Sequence, residues 1–212
     1  MNKKVEDYVR SIPDFPEPGI IFRDVTSVIQ SPEGLKLAID GLTDLIGDTE
    51  FDVVVGPESR GFIFGVPVAY NTGKGFVPVR KKGKLPRETI SADYELEYGT
   101  ATIEMHKDAI TPGQKVVIVD DLIATGGTTE AIIKLVEELG GEVVKVLFLM
   151  ELEGLKGRDK IALWYQEKEN IEYILGPIVE SFDNLPEDAF QVTIAAGRYA
   201  VFESDQENDH LR

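Results

Sequence analysis

Val116-Val117-Ile118-Val119-Asp120-Asp121-Leu122-Ile123-Ala124-Thr125-Gly126-Gly127-Thr128-Thr129 decides the fold. Lys115–Val119 is dominated by valine and isoleucine, as in a parallel strand buried on both faces. Two carboxylates follow, then small residues, then a helical pattern over Thr128–Leu139 closed by Gly140-Gly141. Val143–Met150 reads as the next buried strand. Strand, loop, helix and strand in that order predict an α/β domain, a central, mostly parallel sheet flanked by helices. Ligands of such sheets bind at the carboxyl ends of the strands. There Ala124, Thr125, Gly126, Gly127 and Thr128 offer backbone N–H groups, two hydroxyls and a helix start, a cradle suited to phosphate. Asp120 and Asp121 are placed to accept hydrogen bonds from sugar hydroxyls. A bare turn capped by two acids is the alternative, but adjacent carboxylates beside a buried strand are costly without a ligand or partner. The loop is neither a Walker A nor a Gly-x-Gly-x-x-Gly sequence.

Upstream, Phe51–Val55 reads as a strand ending in Gly56-Pro57, Phe62–Asn71 as a helix and Gly75–Arg80 as a strand. Thr100–Met105 alternates like a strand, behind a basic, loop-like stretch. Pro32–Ile46 reads as a helix with Ser31 as N-cap and Pro32 in its first position. Val5, Tyr8, Val9 and Ile12 fall on one face of a helix over 3–12, which the prolines and Gly19 of Asp14–Gly19 end. Ile20, Ile21 and Phe22 form a short apolar tip.

The chain of 212 residues carries 22 basic and 38 acidic side chains, a net charge of −16. That sign disfavours a general nucleic-acid or anionic-membrane binder, so a phosphate ligand has to be met by a local basic pocket. No cysteine and only His106 and His210 are present, which excludes disulfides, thiolate catalysis and cysteine or multi-histidine metal sites. No apolar run reaches membrane-spanning length and the N-terminus is polar, so a soluble, cytoplasmic protein is expected. Arg80, Lys81, Lys82, Lys84 and Arg87 supply the local basic group, with Gly83 and Pro86 as features of a lid. On its own such a run reads as a solvated loop. Glu58, Ser59 and Arg60 follow a strand end, where Ser59 serves either as a helix cap or as part of an anion loop. Phe22 reads equally as core. Asp93, Glu95 and Glu97 read as a solvated acidic strand, or as a site where one carboxyl acquires a raised pKa. His106 reads as structural.

Five segments in order over residues 1–160 resemble the adenine branch of the type I phosphoribosyltransferases. They are Asp14–Thr26, Gly56–Phe62, Arg80–Thr89 with Tyr94–Gly99, Val116–Thr129 and Glu151–Arg158. The resemblance implies the type I phosphoribosyltransferase fold, with a small N-terminal hood over the site, and adenine + phosphoribosyl pyrophosphate (PRPP) converted to AMP + pyrophosphate. It implies that Asp120, Asp121, Ala124–Thr128, Glu58, Ser59 and Lys84 bind PRPP or AMP. Arg60, Lys81 and Arg87 serve the pyrophosphate, and Lys81, Lys84 and Arg87 lie on a loop that closes. Phe22 stacks on adenine, the backbones of Ile21 and Arg23 read its edge, and Glu97 handles the purine ring proton, with Tyr98 beside it. Mg²⁺ arrives on the substrate and no metal cage of the protein's own is implied; the assembly implied is a homodimer. Another purine base, or a PRPP- or nucleotide-sensing regulator without turnover, are the alternative readings.

Residues 161–212 carry three basic and eleven acidic side chains, a net of −8 from a quarter of the chain. A boundary is therefore expected near Lys160, with an atypical acidic segment packed on the main domain, being too short for a core of its own. Glu172–Gly176 and Ala195–Phe202 weakly resemble part of the effector-binding domain of bacterial regulators.

Overall fold

The computed structural model describes residues 3–96, 99–152, 190–194 and 197–201. The chain divides into two compact units, 1–164 and 165–212. The elements of the first are a 3₁₀ turn (Val5–Tyr8), β1 (Arg10–Pro13), β2 (Ile21–Asp24), α1 (Thr26–Gln30), α2 (Pro32–Ile46), β3 (Val53–Pro57), α3 (Arg60–Thr72), β4 (Gly75–Lys81), β5 (Thr89–Leu96), β6 (Gly99–His106), β7 (Lys115–Ile123), α4 (Gly127–Glu138) and β8 (Glu142–Glu151). The described part of the second is an antiparallel hairpin, β9 (Phe190–Ile194) with β10 (Gly197–Val201). Glu172–Gly176 of the tail lies outside the described residues.

The main sheet has the order β5-β6-β4-β3-β7-β8. β4, β3, β7 and β8 are parallel, and the β5–β6 hairpin joins β4 antiparallel. The central strands are valine runs because both their faces are covered: Val54, Val55 and Val116–Val119 are fully buried. One core cluster joins Val54, Val117 and Val119 to Leu42 of α2 and to Phe64 and Val68 of α3.

α2 begins as its sequence predicts: Ser31 Oγ accepts the Gly34 N–H at 3.2 Å, with Pro32 in the first turn. Its other end is closed from the sheet, where Lys145 Nζ donates to the carbonyls of Leu45 and Ile46, both at 3.0 Å. The hood rests on the same helix, since a Cβ at Gly34 would stand 2.9 Å from Cγ of Tyr8.

One element departs from the sequence reading. The helix expected over 3–12 is only a 3₁₀ turn; Arg10–Pro13 instead pairs antiparallel with Ile21–Asp24, setting Ile12 opposite Phe22. A tertiary pairing thus overrides a helical apolar pattern. β5 starts at Thr89, just behind the basic stretch that reads as loop and ahead of the acids that read as a solvated strand, and Ile90, Ala92 and Tyr94 alternate with Thr89, Ser91 and Asp93 along it. β7 runs four residues beyond Val119, to Ile123, with Asp120 and Asp121 in its carboxyl-terminal part, where the sequence reading sets them.

Gly61 opens α3 against the turn after β3, where a Cβ would lie 2.6 Å from Cδ of Pro57 and 3.1 Å from the Val119 carbonyl oxygen. Neither neighbour is a flexible side-chain end. Gly61→Ala is therefore expected to cost about 1–3 kcal/mol by overpacking. That outweighs the gain in helix propensity of about 1 kcal/mol. A urea midpoint equal to or above that of the parent would refute the close approach.

Candidate active site

A cleft of about 510 Å³ opens at the carboxyl ends of β3, β4 and β7. Glu58, Ser59 and Arg60 line it from the β3–α3 turn, Lys81 from the end of β4, and Asp120 and Asp121 from β7. Ala124, Thr125, Gly126, Gly127 and Thr128 complete it. Gly126 takes φ +75°, a left-handed turn that glycine adopts without strain, and so folds the strand end directly into α4. The segment that reads as a cradle thus lies at the N-terminus of α4, on the wall of the cleft.

Asp121 is buried, and Arg60 Nε lies 2.8 Å from its Oδ2. Asp120 Oδ1 accepts the Asp121 N–H at 2.8 Å. Burial, and after it the neighbouring charge of Asp121, push the Asp120 carboxyl well above the usual carboxylate range, with Arg60 opposing. Asp120 and Asp121 form an acidic floor whose oxygens can accept from hydroxyl donors.

Glu58 faces the opposite balance. Its Oε2 accepts from Arg80 Nε and from the Lys81 N–H, both at 3.1 Å, and its Oε1 meets Lys84 Nζ at 2.5 Å. Burial pushes this carboxyl up, but the bonds from Lys84, the Lys81 N–H and Arg80 outweigh it and hold the group below its ordinary range. Glu58 thereby ties the basic strand end to the β3–α3 turn, and Gly83 N–H is held by Glu104 at 2.9 Å.

Lys84 therefore sits on Glu58, and Arg87 is paired with Asp108 at 2.6 Å and does not line the cleft. Ile21, Phe22 and Arg23 lie in the hood, on β2, and are not lining residues either. The Arg23 guanidinium donates to Ser11, its partner across the β1–β2 pairing. Glu97 and Tyr98 lie outside the described residues, as does 153–158. His106 is buried on β6 opposite Thr89, away from the cleft, with Nδ1 making no hydrogen bond. The sequence reading did not place Tyr94 in the site. It lines the cleft, and the alternation along β5 was the signal for it. Among the described residues no group of three His, Asp or Glu is disposed to hold a metal ion, and no helix is long and apolar enough to cross a membrane.

At the end of a parallel sheet, then, an acid pair and a backbone turn at a helix N-terminus share one cleft with the cations Arg60 and Lys81. The chain belongs to the phosphoribosyl transferase family, whose domain model matches residues 24–182. Adenine phosphoribosyltransferases are its relatives. That of Lachnoclostridium phytofermentans is 72% identical over 159 residues, covering 75% of this chain and 91% of its own. That of Butyrivibrio fibrisolvens is 64% identical over 180 residues, 85% of this chain and 98% of its own. Among solved structures, the Thermoanaerobacter pseudethanolicus enzyme superposes with a TM-score of 0.72 at 50% identity, covering 80% of this chain and 95% of its own. The Saccharomyces cerevisiae enzyme, solved with an imino-altritol bisphosphate and adenine, gives 0.70 at 41%, with coverages of 80% and 94%.

Proposed function

We infer that this chain transfers the phosphoribosyl group of PRPP to adenine, forming AMP and pyrophosphate in purine salvage. The observation that carries this reading is the cleft in which the acid pair, the phosphate cradle, Arg60 and Lys81 meet. In the reaction a ring nitrogen of adenine attacks C1′ of the ribose. The C1′–oxygen bond breaks with its electron pair leaving on pyrophosphate, and the purine proton passes to a base. Asp120 and Asp121 hold the ribose hydroxyls, and Ala124–Thr128 anchors the 5′-phosphate. PRPP is taken as its Mg²⁺ complex, the ion being part of the substrate. Arg60 and Lys81 receive the pyrophosphate beside Glu58 and Ser59, with Lys84 and Arg87 joining when their loop closes. Phe22 stacks on the base, the backbones of Ile21 and Arg23 read its edge, and Glu97 handles the proton.

The reading includes a cytoplasmic homodimer. Ile63, Val66 and Tyr70, with Tyr70 84% exposed, form an apolar stripe along α3, and this supports a subunit contact on the helix that the β3–α3 turn begins. It also takes 1–160 as the phosphoribosyltransferase domain, by charge density, with 161–212 as an acidic C-terminal segment; the family model runs on to residue 182.

The test is product formation from PRPP and Mg²⁺ with adenine, guanine, hypoxanthine and xanthine in parallel. AMP from adenine alone is expected. Turnover of another base reassigns the specificity, and PRPP binding without any turnover makes the chain a sensor.

A further inference from the structure

Phe15 is half-exposed at the tip of the hood, in a loop closed by its own hydrogen bonds. Gly19 N–H donates to Asp14 Oδ1 at 2.7 Å, Phe15 N–H to the Ile20 carbonyl at 3.2 Å, and Ile20 N–H to the Glu17 carbonyl at 3.2 Å. These bonds hold the Phe15 ring against Phe22 with centroids 5.2 Å apart and planes at 73°, the edge-to-face arrangement that aromatic quadrupoles favour. Phe22 in turn is fixed in β2 by its pairing opposite Ile12. A phenyl ring on a two-stranded hairpin is free to turn about χ2 unless something stands beside it, and among the described aromatics Phe15 is the ring that does.

We propose that Phe15 is a positioning residue that orients the Phe22 ring before the base arrives. The proposal rests on the reading of Phe22 as the adenine-stacking residue. A stacking ring already held in its bound orientation spends less ordering entropy on binding. Phe15 does not line the cleft assigned to the ribose and pyrophosphate, so its effect is expected to be confined to the base.

The experiment is a double-mutant cycle on the full chain with adenine and PRPP varied separately. Phe15→Ala is expected to raise the KM for adenine roughly 3- to 10-fold, the range an edge-to-face pair supports, with kcat and the KM for PRPP within about twofold of the parent. Phe15→Tyr, which keeps the ring, is expected to restore the parent KM. In a Phe22→Leu background, Phe15→Ala is expected to add nothing. An unchanged adenine KM in folded, active Phe15→Ala overturns the proposal, and so does an additive effect with Phe22→Leu. A parallel rise in the KM for PRPP overturns it as well, by pointing to general damage to the fold. If the parent protein does not turn over adenine at all, the functional reading itself has failed, which is a separate outcome.

Discussion

Asp121→Asn is expected to lower kcat/KM for PRPP by at least about 100-fold while leaving stability within about 1 kcal/mol of the parent. Hydrogen bonds to a charged group contribute about 1.5–3 kcal/mol each, and loss of two of them amounts to roughly 10²–10⁴ in the specificity constant. The stability side is a near balance. The substitution takes away the partner of Arg60, whose side chain is 38% exposed and whose pair is accordingly screened. It also removes from beside Asp120 the negative charge that helps push that carboxyl up. Both kinetics and a urea midpoint are needed. Equal losses in the two would make Asp121 a structural residue, and undiminished PRPP use would remove it from the ribose site.

Glu97→Gln is expected to lower kcat about 100-fold or more, the scale of a positioned general acid–base group, with the PRPP dissociation constant within about twofold. Glu97 itself lies outside the described residues, and its role rests on the family resemblance. The chain brings it within reach: Tyr94 lines the cleft, and three further residues span at most roughly 10 Å. Of the other acids in that run, Asp93 is engaged across the hairpin, accepting from Thr102 Oγ1 at 2.6 Å. A flattened pH–rate limb should accompany the fall in kcat. Unchanged turnover would sink the assignment, and a large loss of PRPP affinity would move Glu97 to substrate binding.

The parallel strands were legible because strands covered on both faces read as near-continuous apolar runs, and Val53–Val55, Val116–Val119 and Val146–Met150 are such runs in the sequence. The cradle was legible for a related reason, since small residues directly after such a strand leave little for the segment to do but turn and expose backbone. The strand pairing within the hood was not, because the helical spacing of Val5, Tyr8, Val9 and Ile12 was outcompeted by pairing with a strand eight residues further on. β5 carried its alternation openly, but the charge-dense 80–88 stretch before it dominated the reading. Counter-ions were the least legible of all. Glu58 meets Lys84 across 26 residues, and Asp108 meets Arg87 across 21, and no local pattern announces either pair.

The carboxylate of Glu58, on the wall of the cleft, holds Arg80 and Lys84 beside it and bears on which anions they can receive. With Arg80 and Lys84 already satisfied by an internal anion, a visiting anion gains from them only the difference between its own bonds and those of Glu58. A lone orthophosphate offers little surplus in that exchange. A chelated diphosphate, gripped at the same time through a ribose and a second phosphate, brings several anchors at once. On the proposed phosphoribosyl-transfer reading, Glu58 thereby sets a threshold that a single small anion does not pass and a substrate with several linked charges does.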